Sequence, residues 1–208
     1  MKPFRRNKKP KVQQPPQKKP NYAFIDSQNL NLGVQKMGWK LDWRKFRQYL
    51  KDTHNVEKAF MFIGYLPDNE KLYDQMHDLG YLIVLKPTLE MYQVPETEQE
   101  KAEHAERIKT KTETPEDKRV TKGNVDAELV LYAVKEMPNY DKAIVVSGDG
   151  DFFSLVEYLD QQQKLLHLLA PNWQYSSLLK PFEKYIVRLD QMRRELSYRG
   201  YSKKSSKK

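Results

Sequence analysis

The chain contains no cysteine, which excludes disulfides and thiolate metal sites. Its four histidines, His54, His77, His104 and His167, share no spacing that would gather them, so no His-rich centre is expected and none of them is assigned a role. Any metal would have to be held by oxygen. No apolar run approaches the ~18 residues that a membrane helix requires, and the basic N-terminus has no apolar stretch behind it. A soluble, cytoplasmic protein without a membrane partner is the expectation. With 208 residues, the chain suffices for one well-packed domain with tails and is too short for two. No internal repeat is visible.

What is abundant is positive charge, and it is unevenly placed. The formal charge is +9, yet residues 1–20 carry eight Lys and Arg with no acid, and residues 192–208 carry seven against one. The remaining 22 basic and 27 acidic residues leave the body a net −5. Basic arms around an acidic body fit arms that seek phosphate while the body concentrates carboxylates, although arms that merely solubilise would carry the same charge.

Residues 1–20, with five prolines among Lys, Arg and Gln, bury too little apolar surface to offset ordering and are expected to form a disordered basic tail. The domain is expected over 21–190, with a second basic tail over 191–208. Residues 22–25 read as a strand that stops at Asp26. Leu41, Trp43, Phe46, Tyr49 and Leu50 recur at helical spacing behind Asp42, a candidate cap. Residues 56–65 form a further buried strand, Leu72, Met76 and Leu79 a helix face closed by Gly80, and residues 81–85 a strand. This alternation predicts a mostly parallel sheet with helices on both faces.

Residues 88–121 turn to Glu, Lys, Thr and Pro and read as a charged, exposed insertion, with one charged helix over 97–109. Beyond it a helix carries Asp126 in its first turn and ends at Pro138. The apolar run 143–146 then breaks into Ser147, Gly148, Asp149, Gly150 and Asp151. A helix opening at Asp151 follows, with Phe152, Leu155, Val156 and Leu159 inward. Residues 165–169 and 185–189 complete the sheet, around a short helical or irregular segment at 172–183.

Acids thus stand at element ends in three separated places: Asp26, Asp126, and Asp149 with Asp151. In an open parallel sheet the carboxyl ends of all strands share one edge, where ligands collect at a switch in strand order. Singly, Asp26 is a turn residue, Asp126 a first-turn acid complementing the helix dipole, and Asp151 an N-cap. Together they would repel unless a cation sat among them, and Mg²⁺ or Mn²⁺ accepts carboxylate and water ligands. Asp26 and Asp149 are the first candidates to bind it, with Asp126 and Asp151 completing the cage or orienting water. Asn29 and Ser147 would steady them by hydrogen bonds, and Lys86, Lys122 and the arms would hold a nucleic-acid backbone. Such a centre supports phosphodiester hydrolysis without a side-chain nucleophile. Tyr92 and Trp173 are read as loop or core packing, the alternative being stacking on the bases of a single strand.

FIDSQNL at 24–30, KGNVDAELV at 122–130 and VVSGDGDFFSLVEYL at 145–159 together resemble the NYN domain of the PIN-like nuclease superfamily, and its LabA-like branch in particular. The resemblance spans most of 21–190. It implies a PIN-like three-layer α/β/α sandwich and a metal-dependent endoribonuclease acting on RNA. By position it implies acidic metal-site roles for Asp26, Asp126, Asp149 and Asp151, supporting roles for Asn29 and Ser147, and a phosphate contact for Lys122. The insertion at 88–121 is longer than the compact pattern needs.

Two rival readings use the same residues. GDGD after an apolar strand also resembles a haloacid-dehalogenase-type phosphatase, but that chemistry needs an Asp two positions after Asp26, where Gln28 stands. An RNA-binding or regulatory module without catalysis would rely on the arms alone. The composition leaves a monomer and a homo-oligomer equally open.

Overall fold

The computed structural model describes residues 19–64, 69–86 and 125–199. The N-terminal tail through residue 18, the insertion at 88–121 with its expected helix, Tyr92, Lys122 and the chain from residue 200 onward lie outside the described residues.

Six strands form one sheet in the order β3-β2-β1-β4-β5-β6: β1 (Asn21–Asp26), β2 (Val56–Gly64), β3 (Tyr81–Lys86), β4 (Ala143–Val146), β5 (Leu165–Ala170) and β6 (Ile186–Arg188). All five pairings are parallel. The sheet expected to be mostly parallel is therefore entirely so. Its core strands lack an apolar/polar alternation because both faces are covered: β1 is buried from Tyr22 through Asp26, and all of β4 is buried.

Alternate residues of each strand feed separate cores. Tyr22, Phe24, Phe60, Phe62 and Val145 pack under α4 (Asp126–Lys135), α5 (Phe153–Gln161) and the 3-10 segment Ser177–Tyr185. Ala23, Ile25, Met61, Ile144 and Val146 face the opposite layer, built from α1 (Ser27–Lys36), α2 (Trp43–His54), α3 (Glu70–Asp78) and the short α6 (Arg193–Leu196). The result is a three-layer α/β/α sandwich. The first core is aromatic: Phe24 stacks on Phe60 with ring centroids 5.5 Å apart, and both Tyr22 and Phe24 meet Tyr140. Tyr140 spends its hydroxyl on the Ala133 carbonyl at 2.7 Å, which makes its complete burial tolerable.

Several elements depart from the sequence reading. Helix α1 was not anticipated, because only Leu30 and Val34 are buried along its ten residues and the rest of its face is polar. Helix α3 turns Met76 inward with Leu79 packed against the same core, as expected, but Tyr73 takes the inward place expected of Leu72, which is exposed. The expected cap at Asp42 is present, its carboxylate accepting from the N–H groups of Arg44 and Lys45. Residues 193–197, placed in the C-terminal tail on sequence grounds, pack against the domain. Leu196 is buried, Ser197 bridges to Leu41, and Arg193 donates to the carbonyls of Met37 and Gly38. At the other end, Lys19 reaches the Pro138 carbonyl and Pro20 accepts from the Asp141 N–H, so both residues just ahead of β1 are bonded to the domain. Among the described residues no helix is long and apolar enough to cross a membrane.

Phe24→Ala should destabilise the fold by about 3–5 kcal/mol, because it empties a fully buried ring site. Leu131→Ala, on the solvent side of α4, should stay within about 0.5 kcal/mol of the parent. Urea denaturation of the two variants checks both.

Candidate active site

The strand order reverses between β1 and β4, since β2 and β3 extend from β1 while β5 and β6 extend from β4. The pairing of Ile25 with Val146 brings the ends of these two strands level, so Asp26 and Ser147 emerge side by side at the crevice.

Asp26 ends β1 and caps α1, accepting from the Asn29 N–H at 3.0 Å. Its second oxygen accepts from the Ser147 hydroxyl at 3.3 Å, and Ser147 in turn accepts from the Asp149 N–H at 3.1 Å. The Asn29 side chain accepts from the Gly148 N–H at 2.9 Å. The first helix and the loop after β4 are therefore tied together twice, through Ser147 and through Asn29. Ser27 closes the neighbouring strand end by donating to the Phe62 carbonyl at 2.8 Å.

Asp149 begins the 3-10 turn Gly150–Phe152 and accepts from the Asp151 N–H at 3.0 Å. The capping role expected of Asp151 thus falls to Asp149, and Asp151 itself is exposed. The turn can lie this close to the next loop only because residue 150 is glycine: a Cβ there would sit 2.4 Å from Ser176 Oγ.

The electrostatics single out Asp26. It is 6% exposed, and burial pushes its carboxyl up to about 6, with the charges of Asp126 and Asp149 adding to the rise and the Asn29 and Ser147 hydrogen bonds opposing it. Asp126, the first residue of α4, lies near enough for its charge to act on Asp26, since that helix packs over β1. Asp26, Asn29, Ser147 and Asp149 are linked by hydrogen bonds across two distant segments, and Asp126 approaches from a third. Among the described residues no three acidic side chains stand close enough to form a ready-made metal cage.

Lys86 lies at the end of β3 with its ammonium 3.0 Å from Glu128, so this cation is already engaged by an acid of α4. Gln28, where a phosphatase of the rival class needs an acid, is exposed on α1. Trp173, expected to pack, is 58% exposed. The loop that follows β5, expected only as part of a short helical or irregular segment at 172–183, also meets the acidic loop. Its Ser176 N–H donates to the Gly148 carbonyl at 2.9 Å, and Pro171 and Tyr175 lie against Gly148. A Pro-Asn pair directly after a buried strand was the available signal.

The family model of the NYN domain matches residues 22–189. The chain is 24% identical over 153 residues to the low amplitude and bright protein LabA of Synechococcus elongatus, a match covering 72% of each protein. The crystal structure of a protein of unknown function from Vibrio parahaemolyticus superposes with a TM-score of 0.63 at 19% identity, over 89% of this chain and all of that one. That last likeness concerns the fold alone.

The raised Asp26 carboxyl sets a pH dependence. Between the ordinary value of 3.8 and about 6 the folded protein holds a proton that the unfolded chain has released, so stability falls as pH rises through this window. In chelator the loss should approach about 3 kcal/mol. Asp26→Asn should flatten the profile, as followed by urea denaturation from pH 4 to 7.

Proposed function

The chain belongs to the NYN domain family, and from that premise we propose that it is a metal-dependent ribonuclease cleaving single-stranded RNA by hydrolysis. The family points to nuclease function. The observation that carries the finer reading is Asp26, a buried carboxyl at the strand-order switch whose proton affinity is raised further by the charges of Asp126 and Asp149. A carboxylate held there is destabilised unless a positive charge joins it.

The donor set suits Mg²⁺ or Mn²⁺, being oxygen only, and Mg²⁺ sites commonly use one or two carboxylates while keeping water and phosphate ligands. A preformed three-acid cage is therefore not a requirement. Asp26 and Asp149 would hold the ion, with Asp126 beside them and Asp151 at the rim. When bound, it supplies charge compensation at the phosphoryl oxygens and raises the acidity of water.

The protein's own part is positioning. Ser147 fixes one Asp26 oxygen by donating to it and holds the Asp149 backbone by accepting from it. Asn29 keeps the intervening Gly148 in place. Both carboxylates then keep their orientation when charge changes in the crevice, which limits reorganisation during reaction. Proton and cation compete for Asp26, so cation affinity should weaken as pH falls through about 6. The basic arms supply sequence-independent attraction to the RNA backbone.

Purified protein should cleave single-stranded RNA only with Mg²⁺ or Mn²⁺ present. Asp26→Asn and Asp149→Asn should each lower kcat at least about 10²-fold, and Ser147→Ala about 10- to 100-fold. Undiminished cleavage by Asp149→Asn, or none by the parent across several RNAs and both metals, would overturn the proposal. Deleting residues 1–18 and 200–208 should weaken binding and lessen its salt dependence while leaving metal-dependent cleavage, unlike a module that acts through its arms alone.

A further inference from the structure

Residues 171–176, the loop leaving β5 at the acidic edge, hold an indole out into solvent on a braced support. Asn172 is 6% exposed. Its side-chain amide donates to the Gly33 carbonyl of α1 at 2.8 Å, and its oxygen accepts from the Gln174 N–H at 2.7 Å, so its two bonds bracket Trp173. Pro171 lies so close to α1 that a Cβ on Gly33 would come within 2.4 Å of it. At the far end, Ser176 donates its N–H to the Gly148 carbonyl and caps the following 3-10 segment through its hydroxyl. The loop is thus pinned to α1 on one side and to the acidic loop on the other.

Trp173 stands at the tip with 58% of its surface exposed, whereas Trp39 is 6% exposed and Trp43 half-buried. A rigid loop whose Pro171 and Asn172 are buried, but whose largest apolar side chain is held outward, is shaped to present that side chain to something else. Continuity with the acidic loop, through Gly148, indicates what it meets. Arg188, level with Ala170 at the start of this loop, is engaged by Asp190 through two hydrogen bonds, whereas the indole face is open. What the loop offers a strand crossing here is a surface for its bases. An aromatic face takes any base, and takes it only when the base is unpaired.

We infer that Trp173 is a stacking platform for one unpaired nucleobase of the RNA beside the acidic site. This rests on the ribonuclease reading for its ligand class and extends it to the way the strand is held. The platform selects single strands over duplexes without reading sequence.

The test uses the full chain in EDTA, where RNA is bound but not cut, with an oligouridylate of about 12 nucleotides, within the span tracked by single-strand grooves. An abasic ribose-phosphate strand and an RNA duplex of the same length serve as controls. The oligouridylate should quench tryptophan emission, and both controls should fail to do so. Trp173→Ala should abolish the quench and weaken binding about 5- to 150-fold, with its thermal midpoint unchanged, while Trp173→Phe should regain part of the affinity. Equal binding by Trp173→Ala, or equal quenching by the abasic strand, would overturn the platform and assign the indole to another contact. Adding Mg²⁺ or Mn²⁺ separates the two readings. A strand that stacks on Trp173 but is never cut leaves the platform standing and removes the nuclease. A strand that is cut and bound equally well by Trp173→Ala does the reverse.

Discussion

The interaction on which the site depends is the hydrogen bond from Ser147 to Asp26, across the seam where the strand order reverses. On either side of that seam the chain leaves the sheet in opposite directions, opening a crevice at the strand ends. Asp26 is the last residue of a strand buried from Tyr22 onward, so its carboxylate is itself withdrawn from water. A charge in that position requires hydrogen-bond partners, and the structure provides them from β4 and from the first turn of α1. Because Ser147 also receives the Asp149 N–H, the bond that satisfies Asp26 sets where the next acid begins.

This arrangement costs stability beyond what the cap on α1 requires. Two further acids near a buried carboxyl raise its proton affinity rather than relieve it. An apolar or amide side chain at residue 26 would avoid that cost, as an asparagine could still cap α1. A carboxyl destabilised in this way at a crevice is what the proposed site would use to hold a ligand. In the aromatic core, by contrast, Phe24 stacks on Phe60 and the buried Tyr140 hydroxyl is satisfied.

The support extends outward in layers. Asn29 holds Gly148, Gly148 holds Ser176, and Asn172 ties that same loop back to α1. The glycines at 33 and 150 permit these approaches because any side chain there would collide with Pro171 or Ser176. The acidic loop is thus clamped between a helix and a second loop, which gives residues outside regular elements the positional definition that a reacting group needs.

Much of this was legible in the sequence, for physical reasons. Parallel strands covered on both faces must be apolar throughout, so residues 143–146 announced a central strand, and an abrupt change to Ser, Gly and Asp marked where it left the core. Alternating strands and helices then required parallel pairing, and parallel pairing required Asp26 and Asp149 to share an edge. Other features had no local signature. Helix α1 buries only two residues, too few for a periodic stripe, and in the first turn of α3 Tyr73 rather than Leu72 is buried, its hydroxyl reaching the Gly64 carbonyl of β2. Which aspartate caps the 3-10 turn depended on loop geometry that GDGD does not encode. The elevation of the Asp26 carboxyl, the engagement of Lys86 by Glu128 and the exposure of Trp173 arise from contacts between distant segments. The sequence by itself determined the composition of the acidic edge, because strand pattern and chain order are local properties. Only the tertiary structure decided which of those groups are buried, bonded or left open, since burial and partnership belong to the packed chain and not to any one stretch of it.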